Sequence, residues 1–130
     1  MMTREQFLAM LRYEMPHIKT HLEDDWDWYI EGMEFLRNGE LERAETKFKA
    51  LILSQQQHHD GYEGLARVYL AKGRLEEALF LMEEAIQLAE KFLKDGSLDV
   101  EVMEEFKQFR VEIKGRIQSG EQTWQRKSVV

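Results

Sequence analysis

Four histidines and several adjacent carboxylates are the residues whose types could do chemistry. His17 and His21 stand at i and i+4, the spacing with which two imidazoles on one helical face share a divalent ion. Glu14, Glu23, Asp24 and Asp25 lie near them in the chain. Pro16 interrupts the helix that such a pair needs, and no H-E-x-x-H pattern is present. His58-His59-Asp60 falls in a turn, where Asp60 is expected to cap the helix that follows. Asp24/Asp25 and Glu83/Glu84 are immediate neighbours, so on a helix they point in different directions and read as solvated faces. The serines are Ser54, Ser97, Ser119 and Ser128, and none sits in a G-x-S-x-G elbow. No glycine-rich phosphate loop is present. The absence of cysteine removes disulfides, thiolate zinc sites and thiol nucleophiles together. The expectation is a non-enzymatic chain with no catalytic residue, no metal and no cofactor.

The 130 residues are 43% hydrophobic and 33% charged, enough apolar content to fold and a length that suits one domain. A net charge of −7 does not build the cationic footprint that nucleic acid requires. The charge is uneven. Residues 107–130 carry a local +4 and residues 1–106 carry −11, an asymmetry that is expected to be a solvated helix face plus a tail. No apolar run is long enough to span a membrane. The first residues have charges inside their apolar pattern and no small-residue cleavage site, unlike a signal peptide. A cytoplasmic location is the simplest expectation.

The elements that would carry any site are helical almost throughout, with no useful length of strand-like alternation. Thr3 and Gln6 form a capping box for a first helix over 4–14, whose apolar face is Phe7, Leu8, Leu11 and Met15. Residues 15–23 read as a kink or a short connecting helix. A shift of 34 residues then superposes two segments, 28–58 and 62–92. Trp28 falls on Tyr62, Gly32 on Ala66, Phe35 on Tyr69 and Phe48 on Met82. Leu36/Leu70, Gly39/Gly73, Leu41/Leu75, Glu42/Glu76, Ala44/Ala78 and Ile52/Ile86 are identities. Each unit reads as helix–turn–helix, with turns Arg37-Asn38-Gly39-Glu40 and Ala71-Lys72-Gly73-Arg74. Small residues beside large ones are what an antiparallel helix pair needs. Past Gly96 the stripe Val102, Phe106, Phe109, Ile113 and Ile117 predicts a last amphipathic helix over 97–118 that covers the open apolar edge of the stack. Met33, Met82 and Met103 lie on apolar stripes and are expected to fill core space.

In its spacing the chain resembles the tetratricopeptide repeat family. The pattern is W-x2-L-G-x2-Y, then G, then A-x3-F, then A, every 34 residues. Tyr62, Leu65, Ala66, Tyr69, Gly73, Ala78, Met82 and Ala85 carry it in the second unit. Trp28, Gly32, Phe35, Gly39, Ala44 and Phe48 carry it in the first. Glu31 stands where the family favours leucine and Leu51 where it favours alanine, and Gln56 and Glu90 replace the closing proline. The resemblance implies an all-α fold: a short right-handed α-solenoid of antiparallel helix pairs. Its repeats would be 24–57 and 58–93, in one domain over 1–118 with a flexible tail over 119–130, which contains Trp124.

The resemblance also implies a concave groove lined by the first helix of each unit. On that helix of unit one, Trp26, Tyr29, Met33 and Arg37 form a second stripe beside the packing stripe. The matching stripe of unit two includes Glu63, Arg67 and Leu70. The predicted groove thus has an aromatic half and an ionic half, a composition typical of binding hot spots. A partner's helix or extended peptide would lie there, unless helix 4–14 itself folds over Trp26, Tyr29 and Met33. With Tyr29, Met33 and Glu63 in the lining and only Arg67 basic, the clamp for C-terminal carboxylates found in one branch of the family is not expected. The function expected is protein binding or scaffolding. Self-assembly as a homodimer and service as a client-specific chaperone are the alternatives.

Overall fold

The computed structural model describes residues 2–20 and 26–120. Six helices and no strand occur among them: α1 (Arg4–Glu14), α2 (Trp26–Arg37), α3 (Leu41–Ser54), α4 (Asp60–Ala71), α5 (Leu75–Lys94) and α6 (Val100–Gln118). His21, Asp24 and Asp25, the tail beyond Gly120 and its Trp124 lie outside the described residues, and so does the His17/His21 pair as a unit.

The two hairpins are α2/α3 and α4/α5. Both turns are built alike. Gly39 and Gly73 each have φ of +77°, a left-handed conformation in which a Cβ would be strained. The amide after each glycine reaches back across the helix end. Glu40 N donates to Phe35 O at 2.9 Å and Arg74 N to Tyr69 O at 2.8 Å. This closure satisfies carbonyls that would otherwise be orphaned at the helix end.

Packing between hairpins depends on Phe48. The ring is fully buried and lies against Gly32 of α2, where a Cβ would come within 2.7 Å of it. It also lies against Gly64 of α4, where a Cβ would collide with it. One large side chain is thus seated between two glycines on neighbouring helices. Gly61 allows the start of α4 to cross the α3 backbone, since a Cβ there would stand 2.8 Å from the Ile52 amide nitrogen. Ala44, Leu65, Ala66, Ala78, Met82 and Ala85 are fully buried around this contact.

The Thr3–Gln6 capping box forms, with Gln6 N donating to Thr3 Oγ1 at 3.1 Å and Thr3 N to Gln6 Oε1 at 2.9 Å. Helix α1 does not fold over Trp26, Tyr29 and Met33. It lies instead against α3 and α5. Phe7 meets the rings of Tyr62 and Phe80 at 6.2 and 5.6 Å, and Leu11 is fully buried. Arg4 fixes the register by pairing with Glu84 at 2.5 Å and Gln87 at 2.6 Å. Residues 15–20 run on without helix, and Thr20 Oγ1 donates to Leu53 O at 3.0 Å. At the other end α6 packs along α5, with Met103, Phe106 and Ile113 buried.

Candidate functional site

The stripe of α2 and the stripe of α4 meet. Tyr29 and Glu63 hold equivalent places in the two repeats, 34 residues apart, and the Tyr29 hydroxyl donates to Glu63 Oε1 at 2.8 Å. One turn along α4, the Arg67 guanidinium pairs with the other oxygen of the same carboxylate. The guanidinium also lies 4.8 Å from the centroid of the Phe109 ring on α6. Tyr29, Glu63, Arg67 and Phe109 therefore form one connected row across α2, α4 and α6.

Charge in this row is internally balanced. Glu63 is buried, at 3% exposure, and its oxygens are taken by Tyr29 and Arg67. Burial, reinforced by the Glu63 carboxylate, pushes the Tyr29 hydroxyl far above its ordinary range, so it remains a donor. Burial pulls the Arg67 guanidinium down, but the Glu63 carboxylate more than offsets that and the net shift is upward. A cation already neutralised and stacked on a ring has little to offer an incoming carboxylate. Arg67 is thus committed to the fold through Glu63 and Phe109.

Around this row the remaining stripe residues differ in exposure. Trp26 is half exposed, at 49%, and stacks on Tyr29 with ring centroids 5.0 Å apart and planes 17° from parallel. Tyr29 in turn meets Phe48 edge-on at 6.0 Å, which connects the exposed aromatic to the core. Met33 and Leu70 are partly buried and pack on the core. Arg37 is exposed in the last turn of α2. Phe109 is the member of the Tyr29–Glu63–Arg67 row not singled out as a site residue from sequence. Its place in the α6 stripe marked it as apolar, but only its approach to Arg67 assigns it here.

The trio His58, His59 and Asp60 has ligand atoms within 4.8 Å of one another. Asp60 does not cap α4: it is the first helical residue, and His59 holds the cap position without a capping bond from its own side chain. The Asp60 amide donates to His58 Nδ1 at 3.2 Å, so ligation through that nitrogen would cost an existing bond. His59 is buried between Phe92 of α5 and Phe106 of α6, with ring centroids at 5.5 Å from each. Burial, then the neighbouring His58, hold the His59 imidazole down at about 4. The trio acts as packing at the junction of α3, α4, α5 and α6.

No described helix is long and apolar enough to cross a membrane. Neither a curated protein nor a solved structure matches the chain. Residues 59–92 match the family model described as tetratricopeptide repeat. The matched span begins at the α4 cap and ends inside α5, so it coincides with the second hairpin. The first hairpin is built alike, with the same glycine turn and the same antiparallel pairing. The α4/α5 hairpin is thus a tetratricopeptide repeat, the kind of unit generally found in modules that bind other proteins.

Proposed function

We propose that the chain is a non-enzymatic protein-binding module whose partner, a peptide or helix of another protein, lies along α2, α4 and α6. The observation that carries this is the Trp26–Tyr29 stack. A half-exposed indole is held in one orientation over a tyrosine that is itself hydrogen-bonded to a buried carboxylate. Aromatic anchors held rigid before binding lose little conformational freedom on docking, and they dominate interface energetics. Arg37 at the end of the same helix offers a charged edge, and Met33 and Leu70 offer adaptable apolar surface.

Trp26→Ala and Arg37→Glu, singly and together, test this by quantitative pull-down from the source organism's own extract, with the captured protein identified and its affinity measured. Trp26→Ala is expected to weaken capture by about tenfold or more, as loss of a hot-spot aromatic does. The thermal melt should stay nearly unchanged. Tyr29 is unsuited to the test because its ring and hydroxyl are both used by the fold. Undiminished capture by both variants would move the site elsewhere. A dimer that forms through Trp26 would favour self-assembly, and light scattering over a range of concentrations detects it.

A further inference from the structure

A second surface lies away from that groove, on α1 and α5. Between them is an open cleft of about 650 Å³, a size that accepts one or two large side chains of a docked segment. Met2, just before α1, and Met10 of α1 form one side and are 41% and 40% exposed. Leu79 and Phe80 form its α5 side and are partly buried. Unbranched methionines facing a mixed aliphatic and aromatic wall adapt to anchors of different shape.

The rim is acidic. Glu76, Glu77 and Glu83 border the cleft and are exposed. The lining's basic residue, Arg74, is committed to Glu77 at 2.7 Å and lies 4.4 Å from the centroid of the Tyr69 ring. Arg4, on the facing helix, is held by Glu84 at 2.5 Å. Lys114 approaches Glu83 only to 3.9 Å. The field at the mouth therefore favours cations arriving with an apolar group. We propose that this cleft docks a segment of another protein that presents an apolar anchor flanked by lysine or arginine. It would be a second site, independent of the α2/α4/α6 groove.

The full chain can be titrated into a short fluorescein-labelled helical peptide of Leu, Trp and Lys, read by anisotropy, beside the same peptide with Glu in place of Lys. Binding of the Lys peptide alone is expected, weakening as salt is raised. Met10→Asp should weaken it by about tenfold, as truncation beneath an apolar anchor does. The sign is diagnostic, since simple attraction to an acidic protein would make an added carboxylate tighten binding. Met10→Gln should weaken it without any charge change, and both variants should melt like the parent because the position is exposed. Glu76→Lys with Glu83→Lys should weaken binding and flatten its salt dependence. Glu101→Lys with Glu104→Lys, equal in charge but on the first turns of α6, should leave binding close to the parent's.

Equal weakening by the α6 pair would overturn the proposal, as would undiminished binding by Met10→Asp and Met10→Gln. The chain's own residues 121–130 include Trp124, Arg126 and Lys127. Binding that appears only with Trp124→Ser would make that segment the occupant and overturn a partner in trans. Self-association abolished by Met10→Asp would do the same in favour of a second copy.

Discussion

The tightest constraint on any single residue comes from the Phe48 ring. It has no room to move, since Gly32 and Gly64 confine it from two helices. Alanine normally favours a helix over glycine by about 1 kcal/mol. At Gly64 the steric term should win, because overpacking a close approach costs about 1–3 kcal/mol. Gly64→Ala is therefore expected to lower the melting temperature. Gly115, in the body of α6, has open space where its Cβ would go. Gly115→Ala should raise stability by about 0.5–1 kcal/mol. Thermal melts by circular dichroism distinguish the pair, and opposite signs are the expected result. A stabilised Gly64→Ala would mean that α3 and α4 can separate enough to admit a methyl group. Gly32 stood out in the sequence because the repeat aligns it with Ala66. Gly64 did not, because it aligns with Ile30, and nothing in the shift marks it as small by necessity.

Among the elements, α2 and α4 are equivalent by repeat but unequal in burial. Helix α4 buries eight residues, and α2 buries only Gly32. Three of the four aromatic residues of α2, Trp28, Tyr29 and Phe35, are partly buried against the core, and Trp26 is exposed. The physical reason is position. Helix α4 has α3, α5 and α2 around it, whereas α2 packs chiefly on α3 and α4. Local opening costs less where fewer apolar groups must be exposed. Backbone amides of α2 are expected to exchange with deuterium at least about tenfold faster than those of α4. Peptide-level hydrogen exchange measures this, and equal protection would contradict it.

At the scale of the whole molecule, His59 couples the turn between the hairpins to the helices that close the stack. Its ordinary value is 6.5 and its folded value about 4. The unfolded chain thus binds the proton more readily, and stability is fully present above 6.5 and lost as pH falls towards about 4. One proton allows a slope of at most about 1.4 kcal/mol per pH unit. Glu45 acts lower. Burial raises its carboxyl, but bonds from Lys72 and Lys49 outweigh that and hold it at about 2. Its contribution is present above its ordinary 4.5 and is lost as pH falls from there towards 2. Acidification also relieves the self-repulsion of a chain with net charge −7, an effect of opposite sign. Comparison with His59→Gln isolates the histidine. Urea denaturation between pH 7 and 4.5 should give a flatter pH dependence for the variant than for the parent. Identical profiles would show that His59 is solvated in the folded state.

The order of helices, the two glycine turns, the 34-residue register and the last amphipathic helix were all determined by the sequence alone. The helices and turns rest on residues within a few positions of one another, where periodicity and capping act directly, and the register rests on the recurrence of the same residue types 34 positions on. The pairing of Tyr29 with Glu63 was also within reach, as their equivalence in the repeat brings them to one height on neighbouring helices. Tertiary structure alone decided where α1 lies, because the apolar face of Phe7, Leu8 and Leu11 does not by itself specify the surface it packs on. The α3/α5 side also offers Tyr62, Phe80 and the carboxylate of Glu84. It alone decided that Glu63 is buried and Arg67 neutralised, since burial is a sum over neighbours distant in sequence. Free energies of that kind depend on which faces meet, and no local pattern ranks them.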